Sequence, residues 1–122
     1  MKKLLENSKY PIFVLGVFVF AGFLTSAKPA NENLPENAAI VDVRTPAEFH
    51  ISHYPGAKNI PLSDIEARIL DFGAKEQPII VYCRSGRRSG IAKKFLENAG
   101  YTQVKNGGAL DRMLRLQPMQ DK

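Results

Sequence analysis

Hydrophobic and polar positions fall into two regimes along the 122-residue chain. Residues 12–24 form one apolar run, broken only by Gly16 and Gly22. From Ala38 onward, short apolar runs alternate with stretches of helical period. Residues 38–43 have the continuous apolar character of a buried strand. Thr45, Pro46 and Glu48 then supply an N-cap, a first helical position and the third residue of a capping box, predicting a brief helix through Phe49 and Ile51. Residues 54–57 read as a turn and 59–60 as a short extended piece. Leu62, Ile65, Ile69 and Phe72 share one face of a second helix, capped by Ser63 and stopped by Gly73. Residues 78–82 are the clearest strand, apolar and β-branched throughout, which predicts a central position covered on both faces. A polar loop, 83–88, is centred on Gly86. Residues 89–99 predict a helix that Ser89 caps, burying Ile91, Ala92, Phe95, Leu96 and Ala99, with Gly100 as its left-handed stop. A strand at 101–105, a turn at Asn106-Gly107-Gly108 and a last amphipathic helix at 109–116 complete the pattern. Such alternation predicts an α/β fold, one domain around a mainly parallel sheet flanked by helices, with right-handed crossovers. Ligands of such sheets bind outside the carboxyl ends of the strands. Cys83 sits at that end of the strongest strand.

The first regime reads as a targeting signal. Lys2, Lys3 and Lys9 precede the apolar run and Thr25-Ser26-Ala27 follow it, the order of a secretory signal peptide. The run is 13 residues long, whereas a spanning helix needs about 20, so cleavage after Ala27 is expected over retention as a membrane anchor. The expected location is therefore outside the cytoplasm, in the periplasm, with membrane anchoring as the alternative. Residues 28–37, with Pro29, Pro35, three asparagines and two glutamates, read as a linker. Residues 38–122 remain, enough for one compact domain. The signal segment accounts for part of the formal charge of +5. The remaining basic residues are spread out and not interleaved with aromatics, which argues against a nucleic-acid partner. Metal-ligand spacings and nucleotide-binding glycine patterns are absent from the sequence, so neither metal nor cofactor is expected. The one dense basic cluster, Arg84, Arg87 and Arg88, surrounds the only cysteine.

A thiol is a useful nucleophile only as its thiolate, and a free cysteine titrates at about 8.5. Three features of the loop favour the anion. Its backbone N–H groups can converge on the sulfur at a strand–loop–helix junction; the positive end of the following helix is close; and three arginines lie within five residues. Gly86 lets the loop curl without a side chain filling the hollow. Neither His50 nor His53 can be placed beside the cysteine from sequence, so chemistry that needs a general base is poorly served. Sulfur transfer needs none.

These residues resemble a known family. Cys83-Arg84-Ser85-Gly86-Arg87-Arg88-Ser89 resembles the rhodanese active-site loop: cysteine, glycine at the fourth position, arginine at the sixth, serine or threonine at the seventh. Asp42-Val43-Arg44 with Glu48, the stretch from His53 to Pro61, Gly100-Tyr101 and Asn106-Gly107-Gly108 match its other motifs in order, across residues 40–114. With its export signal the chain is similar to the small periplasmic, phage-shock-type thiosulfate sulfurtransferases. The resemblance implies a persulfide on Cys83, a cradle of amides from Arg84 through Ser85, Gly86 and Arg87 to Arg88, and no cofactor. It implies that Arg88 shapes the loop and binds anion, and that Arg84 and Arg87 bind or steer the donor. Asp42, Arg44 and Glu48 are expected to be structural, most simply through an Arg44–Glu48 pair. His53 is expected to pack or hydrogen-bond. The implied partners are a small anionic sulfur donor such as thiosulfate and a cyanide or thiol acceptor. Two departures stand out: Ser52 where many members have glycine, and Leu110 and Met113 where an aromatic residue often follows the double glycine.

Three rival readings differ in chemistry. A cysteine phosphatase needs arginine six positions after cysteine; here Ser89 stands there and Arg88 comes one early, leaving a loop sized for sulfur. A non-enzymatic binding module on the same fold has no need of the cysteine and loop that this chain retains. A persulfide carrier needs the same activated cysteine and is distinguished only by its acceptor.

Overall fold

A computed structural model describes residues 33–116 of the chain. The expected signal peptide and the first half of the expected linker lie outside these residues. Four strands, β1 (Ala39–Asp42), β2 (Lys58–Asn59), β3 (Ile79–Cys83) and β4 (Val104–Ala109), form one sheet in the order β2-β1-β3-β4. Every neighbouring pair is parallel. Three α-helices connect or follow them: α1 (Pro46–Ile51), α2 (Arg87–Asn98) and α3 (Leu110–Arg115).

The pleat of β3 organises the core. Successive side chains of a strand point to opposite faces, and all five of β3 are buried. Ile79, Val81 and Cys83 join Ala92 and Leu96 of α2, with Ile65 and Phe72, on one face. Ile80 and Tyr82 join Leu110 and Met113 of α3, with Tyr54, on the other. Continuous apolarity thus gives a strand covered on both sides, as the sequence predicts. Cys83 belongs to the α2 face and is 0% exposed.

The first helix forms as expected. Thr45 Oγ1 accepts from the Glu48 amide at 3.2 Å, and the Glu48 carboxylate accepts from the Thr45 amide at 2.9 Å, a reciprocal capping box behind Pro46. Elsewhere the structure departs from the pattern. The second helix is replaced by two 3₁₀ turns, Leu62–Asp64 and Ile69–Phe72. The apolar face survives, with Ile65 and Phe72 each 2% exposed, but Ser63 caps nothing. Arg68 leaves helical geometry between the two turns, at φ −111°, and its guanidinium bonds the Asp71 carboxylate (2.8 Å) and the Asn59 carbonyl (3.2 Å). Ile91 and Phe95 are 49% and 39% exposed. The helix α2 meets the sheet through a narrower stripe of Ser89, Ala92 and Leu96, whose two small residues allow close approach. Leu34, inside the expected linker, is buried beside Tyr54.

Asn106-Gly107-Gly108 is not a turn but the middle of β4, which begins at Val104 rather than Tyr101. Asn106 stands opposite Val81 and Gly108 opposite Tyr82, so Gly107 is the extra residue of a bulge. A Cβ at Gly107 would come 2.5 Å from Met113 Sδ and 3.0 Å from Ile80 Cγ2. The glycine lets α3 lie directly on the strand.

Candidate active site

The carboxyl ends of β1 and β3 and the start of α2 bring the candidate residues together. Gly86 is the N-cap of α2 at φ 93°, a left-handed conformation that strains any other residue. Its amide donates to Cys83 Sγ at 3.0 Å. The Ser89 hydroxyl lies 3.3 Å from the same sulfur. Ser89 is therefore not the cap of α2 that its position suggested; it is the third residue of the helix, in its first turn, and fully buried against the sulfur. Burial pushes the Cys83 thiol up. The Ser89 hydroxyl and the amides of Ser89, Ser85 and Gly86 outweigh that penalty and leave the thiol below its ordinary value. Hydrogen bonds to the charged form have this effect.

The charged residues pair differently from the sequence expectation. Arg44 does not reach Glu48. It binds Asp42, with Nη2 2.6 Å from Oδ2 and Nε 3.0 Å from Oδ1, and its Nη2 also donates to the Ser52 carbonyl at 2.6 Å. Asp42 is 0% and Arg44 6% exposed. The pair lies at the end of β1 with Arg44 5.8 Å from the centre of the Tyr82 ring, so its role is to fix the strand ends. Glu48 is instead the partner of Arg88, in two bonds of 2.8 and 2.9 Å. The Arg88 guanidinium holds the Glu48 carboxyl down at about 2, against a smaller opposing effect of burial and with help from Thr45. This bidentate pair ties α1 to the first turn of α2. The Arg88 charge is thus engaged within the protein. Arg84 and Arg87 are exposed and are the loop charges turned to solvent.

His53 stacks on Phe49, ring centroids 3.8 Å apart, and its Nδ1 lies 2.8 Å from the Phe49 carbonyl. His50 is exposed. Beside the loop, Arg44, Glu48, Ile51, Ser52, Arg84, Leu110 and Asp111 line a cavity of about 360 Å³. Leu110, where an aromatic residue was noted as missing, forms part of its wall. Among the described residues, no group of three or more metal-ligating side chains is gathered in one place.

Residues 26–108 match the model of the rhodanese-like domain family. The chain belongs to that family. Over 71 residues it is 44% identical to thiosulfate sulfurtransferase PspE of Escherichia coli, covering 57% of this chain and 68% of that one. It is 38% identical over 82 residues to thiosulfate:glutathione sulfurtransferase of Saccharomyces cerevisiae, covering 56% of this chain and 58% of that one. A solved rhodanese with anions from E. coli aligns with TM-score 0.59 at 41% identity, covering 62% of this chain and 89% of that one. The rhodanese-like architecture, a parallel sheet with flanking helices, is therefore the fold of this chain.

Sequence reasoning missed one residue of this rhodanese-like site. The sequence pattern places Asn106 in a turn, yet its side chain bonds both Ser89 and Gly86. The bulge that places it has no signature in the hydrophobic pattern.

Proposed function

We propose that this protein is a thiosulfate sulfurtransferase working through a persulfide on Cys83. The observation that carries the reading is the sulfur held by the Gly86 amide at 3.0 Å and the Ser89 hydroxyl at 3.3 Å, with neither histidine engaged there. The site is built to hold an anionic sulfur, not to move a proton on a substrate. The Cys83 thiolate attacks the outer sulfur of thiosulfate. A carbon-bound sulfur–sulfur bond forms, the bond to the inner sulfur breaks, and sulfite leaves with its electron pair. Arg84 and Arg87 meet the dianionic donor. An acceptor thiolate or cyanide then attacks the outer sulfur of the persulfide and regenerates the Cys83 thiolate. The relatives named for thiosulfate and for glutathione support both halves of this cycle.

The test mixes the purified protein with thiosulfate and cyanide and measures thiocyanate beside Cys83→Ala. Intact mass after thiosulfate alone reads the persulfide as a gain of about 32 Da. Thiocyanate production that vanishes with Cys83, together with the mass gain, supports the reading. A persulfide without turnover points to a carrier with a dedicated protein acceptor. Neither product, with an alkylation-resistant Cys83, makes a binding module the better reading.

We also propose export to the periplasm. The order of Lys2, Lys3 and Lys9, the apolar run and Thr25-Ser26-Ala27 supports it. N-terminal sequencing of the protein recovered from a periplasmic fraction tests this: a start at Lys28 agrees, and full-length protein in the membrane pellet means an anchor.

A further inference from the structure

Asn106 stands on β4, beside the loop, and the chemistry above does not use it. Its side-chain amide reaches both halves of the sulfur cradle. Nδ2 donates to the Gly86 carbonyl at 2.9 Å; Oδ1 accepts from the Gly108 amide at 2.9 Å and from the Ser89 hydroxyl at 2.6 Å. The orientation of the amide follows from its neighbours, because an N–H can only donate and a carbonyl can only accept. A serine hydroxyl carries one hydrogen. Here it has two acceptors within reach, Cys83 Sγ at 3.3 Å and Asn106 Oδ1 at 2.6 Å, and the shorter contact assigns the hydrogen to Asn106. While Cys83 is a thiol the Ser89 oxygen then turns a lone pair to the S–H, and the hydroxyl can donate to an anionic sulfur only by leaving Asn106.

We propose that Asn106 is a positioning residue for sulfur transfer, holding the Ser89 hydrogen while Cys83 is a thiol and yielding it to the sulfur when the sulfur becomes an anion. The proposal rests on Cys83 as the nucleophile. In the ionisation step the thiol proton leaves to solvent and the sulfur keeps the bonding pair. The Ser89 O–H bond rotates and does not break. The Gly108 amide still donates to Oδ1, so the Asn106 oxygen keeps a partner in both states. Through Nδ2 the same side chain anchors Gly86, whose amide is the other donor to sulfur.

The full-length protein tests this. The pH dependence of Cys83 alkylation by iodoacetamide gives the thiol midpoint in the wild type, Ser89→Ala, Asn106→Ala and the double variant. Loss of the Gly86 anchor affects both serine and alanine backgrounds alike, so the cycle isolates what passes through Ser89. The surrounding charges, Asp42, Arg44, Glu48, Arg84, Arg87 and Arg88, are common to all four forms. The expected result is that Asn106→Ala moves the midpoint lower with Ser89 present than with Ser89 absent, by about half a pH unit or more. A difference indistinguishable from zero, or of opposite sign, overturns the proposal. A second measurement needs no variant. In an NMR titration of the wild type, the Gly108 amide proton should move downfield with the midpoint of Cys83, as Oδ1 comes to depend on it. An unresponsive Gly108 proton overturns the proposal equally. Persulfide formation is read separately by mass, so failure of the sulfur-transfer reading would be seen apart from failure of this one.

Discussion

Glu48 and Arg88 lie forty positions apart in sequence and meet in two hydrogen bonds. Their side chains are 29% and 31% exposed, so solvent screens part of the attraction and the pair is worth about 1 kcal/mol rather than what a buried pair would give. The folded carboxyl titrates at about 2, below the ordinary value of about 4.3. Its contribution is therefore present above the unfolded value and drains away as pH falls from about 4.3 towards 2. Glu48→Gln should lower stability by about 1 kcal/mol at pH 7, with the deficit shrinking as pH falls through that window. Urea denaturation of both proteins at pH 7, 4 and 2.5 checks this. Arg44 and Asp42 are a different case. Both are buried, and removing one partner leaves the other charge uncompensated, at a cost of about 3 kcal/mol or more. Arg44→Met should lower the urea midpoint well beyond Glu48→Gln, and an equal or smaller effect would contradict the burial of this pair.

Among the elements, β3 and β4 show where the sequence could be read and where it could not. Residues 79–82 were legible because one physical cause, burial on both faces, dictates every residue. The capping box of α1 was legible because three adjacent residues satisfy one another. Asn106-Gly107-Gly108 was not, because glycine serves a turn and a bulge equally and only the position of Met113 distinguishes them. The ion pairs were misassigned for a related reason: Arg44 has carboxylates two and four residues away, and sequence spacing does not say which lies on its side of the strand. Cys83 and its loop were legible as chemistry, whereas the contact of Ser89 with sulfur depends on the helix starting at Arg87, two residues before the expected start. The bulge carries its own prediction. Gly107→Ala should destabilise by about 1–3 kcal/mol through overpacking against Met113. In a Met113→Ala background the cost of Gly107→Ala should shrink, which thermal unfolding of the two single variants and the double would show as a non-additive loss.

At the scale of the molecule, one strand serves two cores. Leu96 packs beneath one face of the sheet and Met113 beneath the other, each 0% exposed, and β3 contributes alternate residues to both. Leu96→Ala and Met113→Ala should each cost about 2–5 kcal/mol and shift a single unfolding transition. Separate transitions by near- and far-UV circular dichroism would mean that the two faces come apart independently. The complete cover over Cys83 has a consequence of another kind. A thiol so enclosed is reached by a small anion or alkylating reagent on a slight yielding of the loop but not by the sulfur of a second bulky copy, so the chain's only cysteine is guarded against forming a dimer through sulfur. A persulfide lengthens the side chain by one sulfur–sulfur bond, about 2 Å. The borrowed atom, not the protein's own, is then the one an acceptor has to reach.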